Sequence, residues 1–199
     1  MKVAIVKYNA GNVRSVIFAL DRIGIEPVLT DDIRVLNSAD KVIFPGVGEA
    51  GSTMKYFREK GLDKAILALK QPVLGICLGM QLLCRHSEEG DTDCLGIFDL
   101  KVKRFPEKKE GEVPLKIPQM GWNTIHGLKS KLFERIPENT FMYFIHSYYA
   151  ELGKDTIATT DYKLPYSSAL QKDNFYAVQF HPEKSGTDGG KILENFIKL

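Results

Sequence analysis

Residues 72–83 read Pro-Val-Leu-Gly-Ile-Cys-Leu-Gly-Met-Gln-Leu-Leu, and the rest of the chain is best read outward from them. The short apolar run PVLGI ends at Cys77, and the stretch LGMQLLCRH over 78–86 follows at once with helical spacing. An apolar strand that enters a helix through Gly-x-Cys-x-Gly is the context of a nucleophile elbow. Such a turn holds its apex residue in a strained conformation above the sheet. Side chains two residues either side would collide, so Gly75 and Gly79 suit the turn. Cys77 then sits at a helix N-terminus, where the dipole favours a thiolate, and the Leu78 N–H is free to meet an oxyanion. A buried structural cysteine between two helix-breaking glycines would look the same locally. Cys84, among Leu82 and Leu83 at helical spacing, reads as core packing, and Cys94 as incidental.

Upstream, strand and helix alternate. KVAIVK (2–7) reads as a buried strand, and VRSVIFALDRI (13–23) as a helix stopped by Gly24. Residues 26–29 and KVIF (41–44) read as further strands, the second ending at Pro45-Gly46, and 52–69 as helix broken near Gly61. Short, almost wholly apolar strands between helices imply a parallel sheet covered on both faces. Downstream, strand-like runs at 141–149, 156–160 and 175–180 add antiparallel pairing, and a last helix is expected near 188–198. The stretch FPEKKEGEVPLKIP (105–118) reads as an exposed loop or hairpin. The expectation is one α/β domain over 1–199: a mostly parallel sheet, helices on both faces and a small antiparallel addition.

A second chemical signal follows the run FYAVQF. His181 emerges at a strand end, where parallel-sheet enzymes place their sites. Pro182 disfavours the helical region for His181, and in an extended chain Glu183 falls on the same side. Glu183 could then hold one ring nitrogen and leave the other for Cys77. His-x-Glu also opens the zinc deaminase signature, but no cysteine follows His181, and no metal is expected. Gly46-Val47-Gly48-Glu49-Ala50-Gly51 matches G-x-G-x-x-G literally, yet it follows the third strand where a dinucleotide loop belongs to the first βαβ unit. Beside a cysteine elbow, its N–H groups can instead complete an oxyanion hole.

The bulk numbers are those of a soluble globular protein. The chain has 199 residues, 44% hydrophobic and 26% charged, with a net charge of +2. That balance gives no sign of a nucleic-acid or membrane surface, and the basic stretch from Lys101 to Lys109 reads as a solvated face. No apolar run has the length of a membrane span or signal core. Three cysteines at uneven spacing suggest reduced thiols and a cytoplasmic protein.

Taken together, these segments resemble the class I (triad) glutamine amidotransferases, which pair a Gly-x-Cys-x-Gly elbow with a later His-Pro-Glu. YNAGN (8–12), PGVGEAG (45–51), GICLGMQLL (75–83), QMGWN (119–123), YFIHSYY (143–149) and QFHPEKSG (179–186) are similar to the subgroup that forms the glutaminase subunits of imidazole glycerol phosphate synthase. The resemblance implies a flavodoxin-like fold and no cofactor. It implies Cys77 as nucleophile, His181 as general base and acid, and Glu183 as the orienting carboxylate. Gly46, Val47 and Gly48 would form the oxyanion strand opposite Leu78; Gly48, Gln81, His146, Ser147 and Tyr148 would hold L-glutamine. Asn12, Met120, Trp122, Tyr143 and Lys184 would line the face that docks a barrel-shaped cyclase subunit. Gln119 departs from the subgroup pattern, where a histidine often stands. An independent cysteine hydrolase and an amidotransferase serving another acceptor are the alternative readings.

Overall fold

The structure is a computed structural model that describes residues 1–8, 13–46, 48–107 and 116–199. Strands β1 (Val3–Val6), β2 (Val28–Thr30), β3 (Lys41–Phe44) and β4 (Val73–Ile76) run parallel, linked by helices α1 (Val13–Asp21), α2 (Ile33–Asn37), α3 (Ala50–Lys60) and α4 (Leu62–Ala68). Their lateral order is β2-β1-β3-β4, and β13 (Phe175–Val178) pairs parallel on the far side of β4. The β3, β4 and β13 ends therefore lie side by side.

Period-2 alternation sends these strands into two cores. Val3, Ile5, Ile43, Leu74 and Ile76 face α1 and α6 (Gly186–Lys198), while Ala4, Val6, Val42, Phe44 and Val73 face α3 and α4. Every residue of β1, β3 and β4 is buried, which is why they read as continuous apolar stretches. A fully buried aliphatic side chain of this kind contributes about 1.5–3 kcal/mol.

Beyond the parallel half, helix α5 (Leu78–Leu83) leads directly into strand β5 (Cys84–Ser87), followed by β6 (Thr92–Asp93) and β7 (Phe98–Arg104). The helix expected over 78–86 thus ends three residues early. Pairing of β5 with β7, in register Cys84↔Phe98, draws the backbone of 84–87 into the sheet and overrides the helical spacing. Cys84 is buried as expected, but on a strand. Strands β8 (Gln119–Ile125) and β9 (Thr140–His146) form a separate antiparallel hairpin. The stretch read as one strand over 141–149 is two: β9 ends at His146 and β10 (Tyr148–Ala150) joins the main sheet, with Ser147 as the corner between them. Strands β11 (Thr156–Tyr162) and β12 (Leu164–Lys172) complete the antiparallel part. Residues 108–115, within the expected exposed loop, lie outside the described residues.

Helix α6 begins at Gly186, two residues before its expected start, and braces the turn that carries His181. A Cβ on Gly189 would stand 2.1 Å from the Pro182 carbonyl oxygen, whereas one on Gly190 would meet open space. Neighbouring substitutions should therefore act in opposite directions. Gly190→Ala should stabilise by about 0.5–1 kcal/mol through helix propensity. Gly189→Ala should destabilise by about 1–3 kcal/mol through overpacking. Thermal melting of the two variants checks both signs.

Candidate active site

Cys77 leaves the end of β4 at φ 53°, ψ −109°, a positive φ that a side chain rarely adopts. Its N–H donates to Val178 O at 2.8 Å, which ties the elbow to β13. A Cβ on Gly79 would lie 2.0 Å from Phe44 O, and one on Gly46 would lie 2.3 Å from Gly79 N. Glycine at both places lets the β3 exit pass directly over the first turn of α5. The exit continues to Gly48 at φ 137°, and Glu49 caps α3 by accepting from the N–H groups of Gly51 and Ser52. Val47 lies outside the described residues. Leu78 is the first residue of α5, so its N–H has no acceptor within the helix.

His181 follows β13 in an extended conformation, φ −101° and ψ 93°. The chain then tightens into a 3-10 turn over Pro182–Lys184, so Glu183 reaches the ring through that turn and not along an extended strand. His181 Nδ1 and Glu183 Oε1 are 2.7 Å apart, with both side chains 3% exposed. Three hydrogen bonds brace the backbone here. The His181 N–H donates to Tyr143 O at 2.9 Å, and Ser185 Oγ donates to His181 O at 2.7 Å while accepting from the Tyr143 N–H.

The electrostatics of the ring follow from its burial and two neighbours. Burial alone would lower the His181 pKa, but the Cys77 sulfur and the Glu183 carboxylate outweigh it and raise the value to about 10. His181 Nε2 is buried and makes no hydrogen bond, and the Cys77 Sγ lies 3.7 Å from Ile145 O. The Cys77 sulfur thus has a carbonyl beside it and an imidazole nitrogen within electrostatic reach. The other two cysteines offer no competing nucleophile. Burial pushes the Cys94 thiol up to about 12 and the Cys84 thiol up further.

Cys77 opens onto a cavity of about 290 Å³ lined by Gly48, Gln81, Glu89, His146, Ser147 and Tyr148, among others. The expected glutamine-binding residues are thus gathered around the sulfur. His146 Nδ1 donates to Tyr148 O at 2.7 Å, and burial lowers the ring's pKa to about 4, so it is neutral. The Tyr166 hydroxyl lies between Gln119 Oε1 at 2.9 Å and His146 Nε2 at 3.3 Å, and its single proton serves one of them at a time.

Glu89 is a lining residue that the sequence reading missed. One carboxylate oxygen accepts the Ala50 N–H at 2.8 Å, and burial, with Glu49 nearby, pushes its pKa above the usual carboxylate range. Nothing local separates it from Glu88, whose carboxylate accepts from the Arg104 N–H on the surface. Only the fold brings Glu89 to the cavity.

The residues expected at a docking face sit on the β8–β9 hairpin and the turn after His181. Met120 and Trp122 are 62% and 56% exposed, and Trp122 meets Tyr143 edge-on across the register. Lys184 Nζ stands 5.8 Å from the centre of the Tyr143 ring. Phe141, not singled out from sequence, is 59% exposed on the same face. Asn12 lies outside the described residues.

The family model for glutamine amidotransferase class-I matches residues 6–199. The chain belongs to the class I glutamine amidotransferases. Among its relatives is the imidazole glycerol phosphate synthase subunit HisH of Bacteroides fragilis, 61% identical over 199 residues and spanning all of both chains. The subunit of the same name from Pasteurella multocida is 43% identical over 98% of this chain and 97% of its own. Solved structures agree in fold. A glutamine amidotransferase with a TM-score of 0.73 is 21% identical, covering 98% of this chain and 97% of that one. Another, from Thermotoga maritima, has a TM-score of 0.64 at 17% identity, covering 100% and 83%.

For this glutamine amidotransferase the two buried histidines set opposite pH limbs. His181 binds its proton more tightly folded than unfolded. Its contribution to stability is whole below about 6.5 and is lost as pH rises through about 10. His146 refuses a proton when folded. Stability falls as pH drops from about 6.5 towards about 4, because the unfolded chain takes up a proton that the fold does not. Cys77→Ala should therefore flatten the alkaline limb of melting temperature against pH, and His146→Gln the acid limb.

Proposed function

We propose that the chain is the glutaminase subunit of an imidazole glycerol phosphate synthase, acting as one domain in the cytoplasm and forming a heterodimer with a barrel-shaped cyclase subunit. The observation that carries the reading is the convergence of Cys77 on its strained turn with the buried His181–Glu183 pair at a cavity. The full-length likeness to HisH subunits supports the choice of pathway.

L-glutamine enters with its side-chain amide over Cys77. The Glu89 carboxylate suits the α-ammonium group, and Gln81 with the Ser147–Tyr148 corner lines the remaining length. The thiolate attacks the amide carbon. Charge on the carbonyl oxygen is met by the Leu78 N–H and by donors of the Gly46–Gly48 strand. His181 gives a proton to the departing ammonia, then accepts one from the water that hydrolyses the glutamyl thioester. Glu183 keeps the ring oriented throughout.

Ammonia released to open water would be protonated and lost as a nucleophile. The exposed face of the β8–β9 hairpin suits a partner that prevents this. Its outer row runs from Trp122 and Met120 to Ile145, the register partner of Met120, and Ile145 lines the cavity. A body seated on that face covers the mouth of the site. There, ammonia meets a phosphorylated aminoimidazole-carboxamide ribonucleotide in the cyclase, the lyase half of the reaction. No helix among the described residues is long and apolar enough to cross a membrane.

Three outcomes are expected. Cys77→Ala should still bind the cyclase yet support synthesis only from ammonium salts; retained glutamine-dependent synthesis would remove Cys77 from its role. Glu89→Gln should raise the KM for glutamine about 10- to 100-fold, the worth of one charged hydrogen bond, as steady-state assays of the complex would show. The isolated chain should hydrolyse glutamine slowly, because glycines at 46 and 48 allow the loop peptides to turn away from the oxyanion. Comparison of the free subunit with the cyclase complex loaded with its nucleotide tests this.

A further inference from the structure

Gln179 lies one residue beyond β13 and is fully buried. It stands beside Cys77, at the end of the neighbouring strand. Its side-chain Nε2 is 3.6 Å from Cys77 Sγ, and its Oε1 accepts from Gln81 Nε2 at 3.0 Å. The same Gln81 Nε2 donates to the Tyr148 carbonyl at 2.9 Å.

These three contacts have a fixed polarity. A backbone carbonyl can only accept, so Gln81 must turn its NH2 towards Tyr148 O. Both hydrogens of that NH2 are then in use, one on Tyr148 O and one on Gln179. Gln179 must therefore present its oxygen to Gln81, and its NH2 falls on the sulfur. The orientation of the group touching the nucleophile is thus set by a main-chain atom two side chains away. It does not depend on how either amide is assigned in isolation.

We propose that Gln179 is a further catalytic residue of the glutaminase reaction, an N–H donor to Cys77 Sγ whose direction is locked by Gln81 and the Tyr148 carbonyl. This rests on the reading of Cys77 as the nucleophile. The donor matters when sulfur carries charge. During attack, the Sγ–C bond forms, the C–N bond breaks, and ammonia leaves with a proton from His181. The sulfur is then a thioester and a poor acceptor. During hydrolysis, the water oxygen bonds to carbon, its proton passes to His181, and the C–Sγ bond breaks with its electron pair returning to sulfur. Gln179 meets that returning charge and so assists expulsion of the thiolate. It also restrains the thiolate before attack, which places its main benefit in the second half of the cycle.

Gln81 gains a second task. With its NH2 committed, only its Oε1 remains for the ligand in the cavity it lines, so Gln81 can serve substrate as an acceptor alone.

The test uses the complex with the cyclase. Gln179→Met keeps length and apolar bulk but removes the donor. Its kcat for glutamine should fall about tenfold to a hundredfold, the scale of a hydrogen bond to a charged group, with KM falling in step so that kcat/KM changes much less. Quenched samples should show glutamyl thioester accumulating on Cys77 by mass spectrometry. A structural residue would lower both halves of the cycle without that accumulation. If Gln179→Met fails to melt cooperatively, Gln179→Leu replaces it, a smaller apolar side chain that likewise withdraws the donor from sulfur. A folded variant with kcat within about twofold of the parent, or a slowed one without thioester, overturns the proposal. Cys77→Ala, run alongside, separates the two readings. If it still hydrolyses glutamine, the nucleophile assignment itself fails; if it is inactive, a normal Gln179 variant sinks only the role given to Gln179.

Discussion

The site depends on a backbone contact with no side chain in between. Where β3 leaves the sheet, Phe44 O and Gly46 press against the first turn of α5 at Gly79, closer than any Cβ would permit. The contact brings the loop after β3 to the same height above the sheet as the elbow after β4. A side chain at Gly46 or Gly79 would force the two apart. The strain at Cys77 is sustained by the same packing: its N–H is tied to β13, the residues before it are fully buried in β4, and α5 is wholly buried after it. Rigid neighbours on three sides hold a backbone conformation that an isolated turn would relax.

The β8–β9 hairpin divides its labour by face. Ile125, Met142 and Phe144 point into the core beneath, and Met120, Trp122 and Phe141 point out. Its last residue, His146, reaches the cavity, and Ser147 then turns the chain into the main sheet. Tyr143 on this hairpin pairs through its backbone with His181 and Ser185. The strand that carries the outer apolar surface therefore also braces the backbone of His181.

Much of this was legible because steric necessity leaves a mark on sequence. Gly75 and Gly79 around Cys77, Pro182 between His181 and Glu183, and the wholly apolar strands each reflect a local demand that few residues can meet. What stayed hidden was decided by distant partners. Glu89 differs from Glu88 only in what the fold brings near it, an N–H thirty-nine residues earlier in the chain. Strand β7, read as a solvated basic face, does alternate, with Phe98, Leu100 and Val102 buried and Lys101 exposed, but its charges masked the period. Strand β12 buries Ser167 and Ser168 among its apolar residues, so it lacks the continuous apolar run that revealed β1, β3 and β4. The helix assigned through Cys84 failed for the same reason: a pairing partner fourteen residues away outweighed local spacing.

The sulfur of Cys77 stands between an acceptor and a donor. Cys77 Sγ has the Ile145 carbonyl as an acceptor at 3.7 Å and the Gln179 amide as a donor at 3.6 Å, while His181 Nε2 is left without a hydrogen bond. A thiolate would gain from Gln179 and from a protonated His181, and would be repelled by Ile145 O. That carbonyl belongs to β9, opposite Met120. Any body pressing on the outer face of the hairpin bears on the strand that carries it, so the outer face and the contact at the sulfur share one rigid element.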